Sequence, residues 1–265
     1  MSTTDSTVLR AIAVRLEGPM QSYGASSVGV NRPTEDAPTK SALVGLLGAA
    51  LGIDRIDVRA LVELDRAMAT VVRVDCAGRI ETDYHTAQDV PTMEGGGAKV
   101  ALTRRSYLAD AVFTVLLCNE SEEVLAEWHD ALRYPRWAPV LGRRACPPAV
   151  AMVEREFAMI EGATWSELLA KVPIASEVAL RAARPTDTQA SAFTVYVDER
   201  LCSDEERERG RTLVRRDRIV GPGQRMFFDR AACVLEWSAP DAARHEQARR
   251  SDGEWPAGND TTEWL

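Results

Sequence analysis

Glycine placement between Arg15 and Ile53 constrains this chain more than any other feature. Val8 to Leu16 is β-branched enough to read as a first strand, and Gly18-Pro19 ends it. A polar loop runs through Arg32-Pro33-Thr34 to Pro38-Thr39-Lys40-Ser41, and from Ala42 to Ile53 the text is apolar. Thr39 or Ser41 can cap a helix over about residues 40–53. Gly45, Gly48 and Gly52 recur at i, i+3 and i+7 and line one face of it. Each glycine costs about 1 kcal/mol in a helix interior relative to alanine. The pattern therefore implies that another backbone or a ligand approaches closely there. The helix start also offers unpaired N–H groups beside Lys40 and two hydroxyls, which suits an anion. A nucleotide-hydrolysing phosphate loop is excluded, because the required Gly-x-x-x-x-Gly does not precede Lys40-Ser41.

Further elements follow from periodicity. Val58 to Met68 carries a helical stripe of Val58, Leu61, Val62, Leu64 and Met68. Thr70–Asp75 and Arg79–Tyr84 read as a hairpin around Ala77-Gly78. His85 to Arg105 shows no hydrophobic period and contains Gly95-Gly96-Gly97, so a loop or an excursion between strands is expected. Asp110 to Cys118 reads as a strand. Ser121 then caps a helix with Val124, Leu125, Trp128, Ala131 and Leu132 on one side. A short strand at Val140-Leu141 would complete the order βαββαβ, the ferredoxin-like plan. Beyond residue 150, Thr164-x-x-Glu167 is a capping box. Ala192–Val197, Thr212–Val220 and Met226–Trp237 read as antiparallel strands, and 239–265 as a polar tail.

Composition narrows the function. A chain of 265 residues, 45% apolar, fits one large domain or two small ones. No apolar run is long enough to span a bilayer, and the N-terminus has no signal-peptide pattern, so a cytoplasmic protein is expected. The five cysteines and three histidines fall at no ligand spacing, which argues for reduced thiols and against a metal; no cofactor is implied. A net charge of −8 argues against a protein that coats nucleic acid non-specifically. Yet from Ala131 to Val153 there are four arginines, Arg133, Arg136, Arg143 and Arg144, and no acid. Arg143-Arg144 beside Gly142 suit a phosphate clamp, and Trp137 beside Arg136 could stack on a base or pack on a partner. Tyr84-His85 offers stacking or acid–base chemistry, and Arg104-Arg105 can reach a nucleic-acid backbone.

These motifs occur together and in order: Leu16-Glu17-Gly18-Pro19-Met20-Gln21-Ser22-Tyr23-Gly24, Arg32-Pro33-Thr34, Pro38-Thr39-Lys40-Ser41 with Gly45-Leu46-Leu47-Gly48, Asp83-Tyr84-His85-Thr86, Tyr107-Leu108, and Pro135-Arg136 through Leu141-Gly142-Arg143-Arg144 to Cys146-Pro147. The set resembles the CasD family of type I-E CRISPR Cascade, within the RAMP superfamily. The resemblance covers about residues 8–150 closely and 150–237 loosely. It implies an α+β, ferredoxin-like (RRM-like) core over 8–150. A β-hairpin thumb would lie at about 83–108, a C-terminal antiparallel β subregion over 151–238, and the tail would have no counterpart.

The implied function is that of a non-catalytic subunit. It would bind the 5′ handle of the CRISPR RNA (crRNA) and cap the backbone filament of a ribonucleoprotein complex for antiviral defence. Its partners would be the backbone and large subunits and, indirectly, target DNA. By matching position, Gln21, Tyr23, Arg32, Lys40 and Ser41 would line the handle groove, Tyr84, His85 and Arg105 the thumb, and Arg143 and Arg144 the RNA backbone. The rival reading is a metal-independent endoribonuclease that processes repeat RNA, assembled from Tyr84, His85 and Lys99 or Lys40.

Overall fold

In the computed structural model, the described residues are 8–24, 30–91, 98–155, 158–174, 192–220 and 226–238. The tip of the glycine loop and the tail 239–265 lie outside them.

Strand β1 (Leu9–Glu17) runs as expected and is followed by β2 (Met20–Gln21) and β3 (Asn31–Arg32). Helix α1 (Lys40–Leu51) is capped by Thr39, whose side chain accepts the Ala42 N–H, and Gly52 closes its C-terminus. Helix α2 (Val58–Ala67) packs on it. A Cβ on Gly48 would lie 3.0 Å from the Leu61 side chain. The close neighbour of Gly48 is thus α2, and that of Gly52 is the Arg136 side chain. Strands β4 (Ala69–Cys76), β5 (Arg79–Pro91), β6 (Ala98–Ala109) and β7 (Val112–Cys118) precede α3 (Glu122–Arg133), capped by Ser121. Then come β8 (Ile160–Gly162), α4 (Trp165–Ala170) capped by Thr164, β9 (Phe193–Asp198), α5 (Asp204–Arg209), β10 (Arg211–Val220) and β11 (Met226–Trp237).

Seven strands form one sheet in the order β10-β11-β9-β4-β7-β1-β8. Within it β7 lies between β1 and β4, and β1 lies between β7 and β8, all antiparallel. These are two interleaved split βαβ units, the arrangement that the βαββαβ reading requires. The fourth strand is Ile160–Gly162, not Val140-Leu141. Leu141 is buried in a turn and donates its N–H to the Cys146 carbonyl at 2.7 Å, so it forms no ladder. Strands β9 to β11 extend the same sheet beyond β4.

Alternation gives the sheet two buried faces. Ile12, Val14, Leu16, Phe113, Val115 and Leu117 meet α1, α2 and α3, while Ala11, Ala13, Val71, Leu116 and Cys118 meet α4. On the second face Arg73 is fully buried. It pairs with Asp75, donates to the carbonyls of Leu169, Val172 and Pro173 at the end of α4, and lies against Phe193 and Trp237. A buried cation with this many partners is satisfied rather than stranded.

The expected β4/β5 hairpin is not formed. At Gly78 (φ 66°) the chain leaves the large sheet, and β5 pairs with β6 in a second sheet, register Asp83↔Arg105 and Ala87↔Ala101. A Cβ at Gly78 would sit 2.3 Å from the Ala109 carbonyl, so the crossing requires glycine. The chain returns at Asp110, also at positive φ. The far edge of β6 pairs with β2 antiparallel and with β3 parallel.

The C-terminal strands are bolted to α1 by buried charge. Lys40 N–H donates to Asp217 at 2.8 Å, and Arg230 forks onto the same carboxylate at 3.0 Å from both nitrogens. Lys40 Nζ lies 3.4 Å from Asp198 and 3.9 Å from Asp65. Burial pushes the Lys40 pKa down and the Asp65 pKa up. For Asp198 burial acts upward too, but the Arg200 hydrogen bond and the charges of Lys40, Arg200 and Arg230 outweigh it and hold its pKa low. Replacing one member of such a buried set strands the others at a cost of about 3–5 kcal/mol. Lys40→Met is therefore expected to lower unfolding stability by that order in a denaturant titration, with an unchanged midpoint showing that the network contributes nothing.

Candidate nucleic-acid interface

Residues 141–149 form a turn seated on the start of the fold. The Ser22 N–H donates to the Leu141 carbonyl at 3.1 Å, the Cys146 N–H to Arg143 at 2.9 Å and the Ala149 N–H to Glu17 at 2.8 Å. Gly142 has φ 89°, and a Cβ there would stand 1.8 Å from the Ser22 carbonyl oxygen. This seat carries Arg143 to the place where β3 meets β6, with exposed Arg144 the next residue along.

At that place the arginines gather. Parallel pairing sets Asn31 beside Arg104 and Arg32 beside Arg105, with about 4.8 Å between strands. The Arg143 guanidinium lies 4.7 Å above the Tyr107 ring centroid and donates to the carbonyls of Ser106 (3.2 Å) and Arg32 (3.0 Å). Arg32, Arg104 and Arg144 are exposed, and Arg105 and Arg143 are half-buried. Among the described residues, none of these five forms an ion pair. Unpaired cations on neighbouring strands repel one another, and a bound anion would relieve that repulsion.

Cross-strand partners share a face, so the hairpin has two distinct sides. One carries Arg32, Arg105, Thr103 and His85 with the acids Asp83 and Glu81; Asp83 lies 3.6 Å from His85 Nδ1. The other carries Arg104 beside Tyr84 and Asn31, with Leu102 and Ile80 exposed. Tyr84 and His85 therefore point to opposite sides, and no common acid–base pair can be built from them.

Four sequence candidates lie inside the molecule. Gln21 is fully buried; its amide donates to the Leu16 and Ala111 carbonyls at 3.2 and 2.6 Å, and its oxygen accepts from Tyr23 Oη at 2.6 Å. Tyr23 packs edge-on against Phe113, and burial first, then Cys146, pushes its pKa well up, so the phenol stays a neutral donor. Lys40 is 4% exposed and held by two carboxylates, and Ser41 is buried beside the Thr39 hydroxyl at 3.3 Å. The anion expected at the start of α1 is the chain's own Asp217, which corrects the phosphate-site reading. Tyr107, the platform under Arg143, belongs to the Tyr107-Leu108 motif, but no binding or positioning role is legible for it in the sequence.

Fold and site together define an α+β protein with a projecting β-hairpin and an arginine-rich crest at its foot. The family model for CRISPR-associated protein (Cas_Cas5) matches residues 11–230, and the chain belongs to that family. It is 38% identical over 148 residues to the CRISPR system Cascade subunit CasD of Escherichia coli (strain K12), covering 51% of this chain and 66% of that one. The match thus spans just under two thirds of that relative. A chain from a CRISPR RNA-guided surveillance complex superposes with a TM-score of 0.68 at 29% identity, covering 88% of this chain and 92% of that one. A crystal structure of a Cas protein gives 0.60 at 27% identity, covering 88% and 96%.

Because left-handed backbone costs an L-residue about 1–2 kcal/mol before any clash is counted, Gly142→Ala should lower the melting temperature by at least about 2–4 °C. Calorimetry reads this directly, and an unshifted transition would mean that the turn is not seated on Ser22.

Proposed function

We propose that the chain is a non-catalytic subunit of a type I-E Cascade surveillance complex. In this reading it binds the 5′ handle of crRNA, caps the backbone filament, and contacts the backbone and large subunits. The observation that carries the reading is the pair Arg32 and Arg105 on one side of the hairpin, neither in an ion pair among the described residues, with exposed Arg144 next to the Arg143 that holds them together, in a chain of net charge −8. Local positive charge on an acidic protein favours one bound strand over non-specific coating. The likeness to a Cascade subunit supplies the class of partner. Residues 8–150 serve as the RNA-binding core, with the thumb at about 83–108, and the core sheet takes its fourth strand from 160–162. Strands β8 to β11, within 151–238, complete the sheet.

The nuclease alternative loses one of its cations, because Lys40 Nζ is buried between Asp65 and Asp198. His85 keeps Asp83 as its neighbour. Incubating the purified chain with repeat RNA in EDTA is expected to leave the RNA intact; cleavage that His85→Ala abolishes would reverse the assignment.

Co-expression with the other Cascade subunits and a CRISPR array is expected to yield a complex that retains crRNA with this chain. Recovery of the chain alone, free of RNA and subunits, would sink the proposal. Deleting residues 86–103 should reduce incorporation into that complex while the melting transition of the core persists. Loss of the transition would mean that the hairpin belongs to the folding unit.

A further inference from the structure

Arg143 and Arg144 are adjacent in sequence but differ in what they hold. Arg144 is exposed, and none of its N–H groups is engaged among the described residues. Arg143 is clamped on three sides: its ring-facing surface on Tyr107, one terminal nitrogen on the Ser106 carbonyl and the other on the Arg32 carbonyl. A planar guanidinium can stack and fork at once, which an ammonium cannot.

The Arg32 contact matters because β3 is otherwise weakly held. It is two exposed residues long and has one partner strand. Its backbone link to the hairpin extends one residue back, where the Arg104 N–H donates to Val30 at 2.9 Å. Behind it, Thr34 accepts the Tyr23 N–H at 2.9 Å, and Asp36 is gripped by Tyr196 and Arg215. The segment is thus pinned firmly at Asp36, while Arg143 holds the carbonyl of the residue that must present its own guanidinium. Gly142, locked against Ser22, fixes where Arg143 starts.

Resting on the RNA-binding reading above, we propose that Arg143 is a positioning residue: it holds β3 in register against β6 so that Arg32 and Arg105 present one row of charge, and Arg144 rather than Arg143 meets the phosphates. Arg143 acts through Arg32, so the two behave as one unit. The proposal assigns the neighbouring arginines different work, which a simple charge-clamp account does not.

The test is a double-mutant cycle on the full chain. The probe is a fluorescein-labelled single-stranded RNA carrying the repeat-derived 5′ segment of the guide, with affinity measured by anisotropy across a salt series. Arg32→Ala and Arg144→Ala should each reduce the salt slope by about 0.7, the loss of one single-strand phosphate contact. Arg143→Ala should weaken binding, Arg143→Lys should not rescue it, and Arg143→Ala should add nothing in the Arg32→Ala background. Tyr107→Leu, which removes the stack but keeps the arginine, should behave as Arg143→Ala; Tyr107→Phe should bind like the parent chain. Tyr107→Leu also keeps the test decisive if Arg143→Ala fails to fold.

A separate slope loss for Arg143→Ala that adds to that of Arg32→Ala would overturn the positioning role and make Arg143 a phosphate contact, with the groove intact. Unchanged binding in both Arg32→Ala and Arg144→Ala would overturn the groove itself, and this proposal with it.

Discussion

A backbone that changes sheets loses its ladder partners, and each orphaned buried carbonyl must find another donor. Here the problem arises where β1 hands over to β2 and where β6 hands over to β7. Both are solved by one side chain. The buried Gln21 amide bridges the carbonyls of Leu16 and Ala111, and its own oxygen is satisfied by Tyr23. The Asp110 N–H reaches the Pro19 carbonyl at 3.2 Å beside it. The knot ties the two crossing points to each other where the hairpin leaves the large sheet, beside the positive φ of Asp110 and next in sequence to Ser22, on which the 141–149 turn is seated.

The sequence disclosed the core well, because the core is built from strong local signals. Ser121, Thr164 and Thr39 are capping residues whose side-chain oxygens accept the backbone N–H groups of Val124, Glu167 and Ala42. The near-continuous apolar run of Val112–Cys118 is that of a central strand, and it is buried at every position. Val140-Leu141 misled because two branched apolar residues between turn signals look the same whether they join a ladder or plug a turn. The β4/β5 hairpin misled for a related reason. A glycine between two β-rich segments signals a reversal, and nothing local distinguishes that from a step into another sheet.

The site was less legible than the fold. Basic residues after a cap look alike in sequence whether they face phosphate or carboxylate. Lys40 is matched by Asp198 and Asp217, 158 and 177 residues further along the chain. Such distant acids leave no trace near the helix. By contrast Arg32, Arg105 and Arg143 lie together because strand pairing and a glycine turn bring them there, a juxtaposition that the spacing along the chain does not reveal. Acidic side chains dominate the chain's total charge, yet some of the most buried ones, Asp65, Asp198 and Asp217, are consumed internally. Net charge is therefore a poor guide to what the crest can bind.

The outermost strand of the large sheet has a consequence of its own. β10 has its neighbour β11 on one flank and no strand on the other among the described residues. Such a border is a template on which a second molecule can crystallise strand by strand. This one carries exposed Arg211, Arg216 and Arg218, and its register slips between Arg216 and Arg218. Mutual repulsion and the kink both work against such pairing at this border.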